Sequence, residues 1–133
     1  MNEIERVEVS QLTIPYRDIG MSGEMQAAAY VTHAEAALTH FWRYRPPLED
    51  EPNYTVSKLE LRLFFPLRFE DKVTLTVKID KIGGKSLGFE VLFDKDGQTA
   101  AEVDVIWTAR DPETTEPVAL PEDTRDWLYR YLR

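Results

Sequence analysis

The chain has 133 residues, 43% hydrophobic and 11% aromatic, the size of one domain with enough apolar mass for its own core. Sixteen basic against 24 acidic residues leave a net charge of −8, the wrong sign for a partner built on nucleic acid phosphates or an anionic membrane. Cysteine is absent, so disulfides, thiolate catalysis and Cys-based zinc centres are excluded. No apolar run approaches the length of a membrane span, and acids among the apolar residues of the first sixteen positions argue against a targeting peptide. A single cytoplasmic domain covering 1–133 is expected.

In chain order, Ile4–Ile14 reads as a strand through Val7, Val9 and Leu12. Gln26–Trp42 has no Gly or Pro and six alanines, and Tyr30, Ala34, Leu38 and Phe41 recur at helical spacing. The spacing predicts a helix whose apolar face is made largely of small residues, able to lie close to a sheet. Arg45–Asn53, with its prolines and acids, reads as a surface connection. Period-two alternation then predicts strands over Tyr54–Phe65, Asp71–Ile82, Ser86–Phe93 and Thr99–Arg110. Gly83–Gly84 and Asp94–Gly97 supply the turns between them. Pro121–Leu132 is expected to close the chain as a short helix through Trp127, Leu128, Tyr131 and Leu132. One long helix against an antiparallel sheet of about five strands is an α+β architecture, with sheet edges that favour oligomerisation.

The stretch Asp18-Ile-Gly-Met-Ser-Gly23-Glu-Met-Gln-Ala-Ala-Ala-Tyr30-Val-Thr-His-Ala-Glu35-Ala-Ala places Asp18, Gly23, Tyr30, Glu35 and Ala37 in an ordered pattern. Downstream come Leu59–Asp71 with its Pro66, Lys81–Glu90 with its double glycine, and Trp107 followed by a proline-rich tail. In order and spacing these segments resemble the 4-hydroxybenzoyl-CoA thioesterase family of the hotdog fold, along essentially the whole chain. The resemblance implies a sheet of about five strands wrapped around one long central helix. It also implies hydrolysis of an acyl-CoA thioester without a cofactor or a metal, and a homo-oligomer, a dimer or a tetramer of dimers.

The chain departs from the family where the chemistry lies. The family's second aspartate, its nucleophile or general base, corresponds here to Gly20, and the asparagine positions before the helix are Gln26 and Ala27. Thioester hydrolysis needs a carboxylate to attack or to activate water, and donors for the developing oxyanion. The donor is backbone, and the resemblance places it at the Ala27 amide. For the carboxylate, Glu24 stands first, one methylene longer than aspartate and just ahead of the helix. Its plainer reading is a charge at a helix N-terminus, worth about 0.3–1 kcal/mol. Asp18 stands second, its match in relatives usually tying down the loop. Gly23, Gln26, Tyr30 and Glu35 are the expected substrate contacts. Glu35 is more simply explained as a solvated or interface-paired acid.

His33 and His40 share a helix face two turns apart, about 10 Å, too far to share one metal ion. Gly83–Ser86 ends like a phosphate-binding loop but joins two strands, so it is not a nucleotide P-loop. Lys85, Arg43, Arg45, Arg62 and Arg68 are candidates for CoA phosphates, with surface charge as the alternative for each. Phe41, Trp42, Phe64 and Phe65 either shape an acyl pocket or pack the core. Two further readings stay open: a non-catalytic module holding an acyl thioester, and a thioesterase acting on carrier-protein-bound chains.

Overall fold

The computed structural model describes residues 8–131. Its elements are β1 (Glu8–Thr13), a 3-10 turn (Tyr16–Asp18), α1 (Ala27–Trp42), β2 (Asn53–Leu63), β3 (Lys72–Ile82), β4 (Ser86–Lys95), β5 (Gln98–Arg110) and α2 (Glu122–Tyr129). Ile4, Val7 and Leu132, assigned from the sequence to the first strand and the last helix, lie outside the described residues. β4 runs two residues beyond the predicted Phe93. Asp96 and Gly97, both at positive φ (52° and 80°), suffice for the turn, so Asp94 and Lys95 stay in the ladder, Lys95 opposite Gln98.

The five strands form one sheet in the order β1-β3-β4-β5-β2, with every neighbouring pair antiparallel. The alternation sends Val73, Leu75, Val77 and Ile79 of β3, Leu87, Phe89, Val91 and Phe93 of β4, and Ala101, Val103 and Val105 of β5 into the core. There they meet Tyr30, Ala34, Ala37, Leu38, Phe41 and Trp42 of α1, a helix of 16 residues. Gln26 caps α1 from an extended conformation instead of opening it.

At the C-terminal end of α1 an aromatic cluster joins helix, sheet and α2. Trp127 of α2 stacks on Phe41 at 5.2 Å, and Trp42 meets Tyr54 at 4.9 Å and Trp107 at 5.1 Å edge to face. Phe41 and Trp42 are therefore core residues, 2% and 9% exposed, and line no acyl pocket within this chain. Burial, with Glu51 close by, pushes the Tyr54 phenol up to about 12.

Three apolar side chains of β2 on the α1 side of the sheet are left uncovered: Val56 is 45% exposed, Leu59 36% and Leu63 53%. On the opposite face, Glu90, Glu102 and Asp104 bring carboxylate oxygens within 4.8 Å of one another. Arg62 pairs with Asp104 at 3.1 Å and with Glu102 at 3.7 Å. Burial and the adjoining Glu102 hold the Asp104 carboxyl up at about 6. A carboxyl raised from 3.8 binds its proton more tightly when folded, so its contribution favours folding at low pH and fades as pH rises from about 4 to 6. Asp104→Asn is expected to gain about 1 kcal/mol at pH 7, after allowance for solvent screening, and nothing near pH 4. Urea unfolding at the two pH values checks this.

Candidate active site

The site is a loop, Ile14–Gln26, that carries the chain from β1 to α1. Its ends are fastened to the β2–β3 connection: Ile14 donates its N–H to the Asp71 carbonyl at 2.9 Å, Glu70 donates to the Ile14 carbonyl at 2.9 Å, and Met25 donates to the Leu67 carbonyl at 2.8 Å. Between these ties the chain makes a tight turn. Gly20 N–H donates to the Glu24 carbonyl at 2.8 Å and Gly23 N–H to the Gly20 carbonyl at 3.1 Å. Gly23 sits at φ +82°, a conformation that side-chain-bearing residues rarely adopt.

Gln26 N–H is taken by the Asp18 carbonyl at 2.9 Å, and the helix begins at the next residue. Ala27 and Ala28 open α1 with amides that have no intrahelical acceptor. No acidic side chain stands in that first turn, and Gln26 makes no side-chain cap, so the positive end of the helix is left for an incoming oxygen. Beside it lies an open hollow of about 650 Å³ lined by Ile19, Gly20, Met21, Ser22 and Gln26.

A side chain at position 20 would crowd Gln26. A β-carbon there would stand 3.1 Å from Cγ of Gln26 and 3.6 Å from the Glu24 carbonyl oxygen. The stem of Gln26, an exposed side chain, lies at the edge of the space that a side chain at position 20 would claim.

The other predicted residues separate into groups. Glu24 is 44% exposed, with its carboxylate 3.8 Å from the Arg68 guanidinium. Asp18 is 13% exposed and accepts at 2.6 Å from Nε2 of His33, which clips the loop to the second turn of α1. Tyr30 is buried, and its hydroxyl accepts the Leu67 N–H at 3.2 Å, joining α1 to the β2–β3 connection. Burial raises its phenol above the ordinary range. Glu35 is exposed on α1, away from the sheet.

Two predicted contacts are not brought to this loop within one chain. Arg62 is held by carboxylates on the far face of the sheet. Lys85 lies in the β3–β4 turn, at the other end of an 11-residue strand from Asp71, roughly 35 Å along the sheet. Arg45 is likewise engaged, donating from Nη2 to Glu51 at 2.8 Å and lying 5.5 Å over the Trp42 ring. The sequence reading missed the Asp18–His33 contact, which joins a loop residue to one fifteen positions on. Its only trace is that His33 falls on the edge of the apolar stripe.

The thioesterase-like superfamily model matches residues 14–128. The acyl-CoA thioester hydrolase YbgC of Escherichia coli O6:H1 is 25% identical over 113 residues, covering 80% of this chain and 84% of the relative. Among solved structures, a Thermus thermophilus thioesterase complexed with coenzyme A and zinc is 25% identical, with a TM-score of 0.78 over 92% of this chain and 96% of its own. A hypothetical protein of Staphylococcus aureus in complex with CoA shares 17% identity and reaches a TM-score of 0.85, over 97% of this chain and 87% of its own. A predicted thioesterase from Bacillus stearothermophilus superposes with a TM-score of 0.85 at 17% identity, over 96% of this chain and 98% of its own. The fold is the hotdog arrangement that the sequence resemblance implies. With 115 of its 133 residues matched by the family model, the chain belongs to the thioesterase-like superfamily.

Proposed function

We propose that the protein hydrolyses acyl-CoA thioesters, with the thioester carbonyl held at the open N-terminus of α1. The observation that carries this reading is the uncapped first turn at Ala27, set beside a hollow within a thioesterase-family fold. The Ala27 amide and the helix dipole stabilise the oxyanion as it forms. Glu24 takes a proton from water while the water oxygen attacks the carbonyl carbon. The C–S bond then breaks, the acid leaves, and the CoA sulfur recovers the proton. Asp18, whose carboxylate is engaged by His33, is the second candidate for that role. Gly23 shapes the turn, and Gln26, Tyr30 and Glu35 are proposed to bind or frame the substrate.

The uncovered apolar row of β2 supports a homodimer joined edge to edge through that strand, with a tetramer of two such dimers as the larger assembly. Arg62 and Lys85, distant from their own chain's loop, remain proposed CoA contacts only for the site of another copy. The proposal includes a cytoplasmic location, where acyl-CoA is made and spent.

A second reading is favoured by the vacancy of a carboxylate at position 20: the fold binds an acyl thioester without cleaving it. Melting curves with CoA and with acyl-CoA, and thiol release followed in the same samples, separate the two. Release of thiol supports the enzyme; a raised Tm with intact thioester supports the binding module. Release from acyl carrier protein but not from CoA would reassign the substrate.

A further inference from the structure

Tyr16 and Phe69 are large aromatic residues left in solvent, 75% and 49% exposed. They are not scattered. Their rings meet edge to face, with centroids 5.6 Å apart and planes at 81°, although 53 positions separate them in the chain. The backbone ties described above, Ile14 to Asp71 and Glu70 to Ile14, hold their two loops together. Glu70 sits at φ +70°, an unusual conformation for a residue with a side chain, and it directly follows Phe69. Perpendicular rings leave an aromatic face open to a third planar group.

Each ring also has an arginine as its chain neighbour. Arg17 is exposed, with no ion pair among the described residues. Arg68 is 58% exposed, and its one carboxylate contact is the 3.8 Å approach of Glu24. In a chain of net charge −8, two exposed guanidinium groups beside two exposed rings offer an anionic ligand cationic contacts at this point. Of the nearby acids, Asp71 is engaged by Lys95 at 3.0 Å and Asp18 by His33, while Glu70, next to Phe69, is exposed. Flat π-surface with adjacent guanidinium groups matches a ligand that combines a planar base with phosphates. Tyr16 sits on the loop that lines the hollow, four residues before Gly20, and Phe69 on the β2–β3 connection tied to that loop, two residues after Leu67.

We propose that Tyr16 and Phe69, flanked by Arg17 and Arg68, seat the nucleotide end of the CoA thioester. This rests on the acyl-CoA reading above and adds to it the part of the substrate held outside the hollow. The adenine lies against the open ring face and the phosphates meet the arginines. The pantetheine arm crosses from this seat to the helix N-terminus, so binding at the seat carries the thioester without touching its chemistry.

The test compares one acyl group on two carriers, CoA and pantetheine, in the full-length protein. Tyr16→Ala/Phe69→Ala is expected to lower kcat/KM for acyl-CoA about tenfold or more, mainly through KM, because stacking on a base is worth of that order. Arg17→Ala is expected to lower it less, with a loss that shrinks in high salt as the phosphate attraction is screened. Turnover of acyl-pantetheine should stay within about twofold of the parent. Equal losses on both carriers, or none on either, would overturn the proposal. So would a fall in oligomeric mass in the double variant, which would make the rings a contact between copies. Calorimetry with adenosine 3′,5′-bisphosphate separates this idea from the activity itself. Binding lost in the double variant supports the seat even if no thioester is cleaved. Absence of binding to the parent protein overturns the seat even if acyl-pantetheine is hydrolysed.

Discussion

Glu24→Gln is expected to lower kcat for acyl-CoA hydrolysis by about 100- to 10,000-fold while leaving KM within a few-fold of the parent value. The size follows from the role. A positioned base that removes a proton in the transition state contributes about that factor, and an amide cannot accept the proton. The split follows from the geometry. Glu24 lies one residue beyond the Gly20–Gly23 turn, and its carbonyl, which the substitution keeps, accepts the Gly20 amide. Glutamine is also isosteric and still reaches Arg68, so the loop should hold its shape. A residual rate well above that in water should survive, because the oxyanion donor is the backbone amide of Ala27. Single-turnover thiol release with saturating substrate measures the effect. A kcat within threefold of the parent removes Glu24 from the mechanism, and the same experiment on Asp18→Asn then tests the remaining carboxylate.

The largest effect on stability is expected at Phe41. Its ring is 2% exposed and touches Phe89 of β4, Trp127 of α2 and Tyr131. Phe41→Ala removes the side chain on which α2 stacks, and a helix of eight residues holds little order of its own. The combined loss of transfer free energy and the cavity left behind should cost about 3–5 kcal/mol. For a chain of this size that lowers Tm by roughly 10–20 °C. Phe41→Leu, which retains most of the volume, should cost less than half as much. Differential scanning calorimetry of the two variants decides it. Equal costs would mean that the aromatic stacking, not the volume, holds α2 in place.

Much of this arrangement is legible in the sequence, and the reasons are local. The β3 stretch alternates Val73, Leu75, Val77 and Ile79 against polar partners, and only one face of a sheet can receive that set. α1 announces itself through alanine content and a stripe at three- and four-residue spacing. Tyr30, Ala34, Leu38, Phe41 and Trp42 are buried as expected, whereas Ala27, at the helix start on the same stripe, is exposed and Val31 only partly buried. The Asp96–Gly97 pair specifies a two-residue hairpin turn. Such signals depend on neighbours in the chain, which is why they survive without a structure.

The site is less legible because its contacts join distant segments. Nothing near Gly20 in the chain says that the stem of Gln26 will lie at the edge of its missing side-chain volume; that needs the turn to fold back on the helix start. Tyr30 falls in the apolar stripe, yet its hydroxyl is spent on Leu67, 37 positions away. Arg62 shows the opposite difficulty. As a lone guanidinium in a strand it suits a phosphate, but the register of β2 against β5 sets Glu102 directly opposite it, with Asp104 two residues along that strand. Aromatic residues mislead for a similar reason: Phe41 and Trp42 are core, whereas Phe64, weighed with them for an acyl pocket, is exposed, as are Tyr16 and Phe69, unremarked in the sequence.

The central claim is that the open N-terminus of α1 works with Glu24 to cleave an acyl-CoA. Continuous thiol release by the parent protein and by Glu24→Gln, across short, long, branched and aromatic acyl-CoAs, tests it most directly. The account predicts turnover of at least one acyl class by the parent and its collapse in the variant. Intact thioesters throughout, from a folded parent whose Tm rises with the same ligands, would contradict it and leave a binding protein in its place.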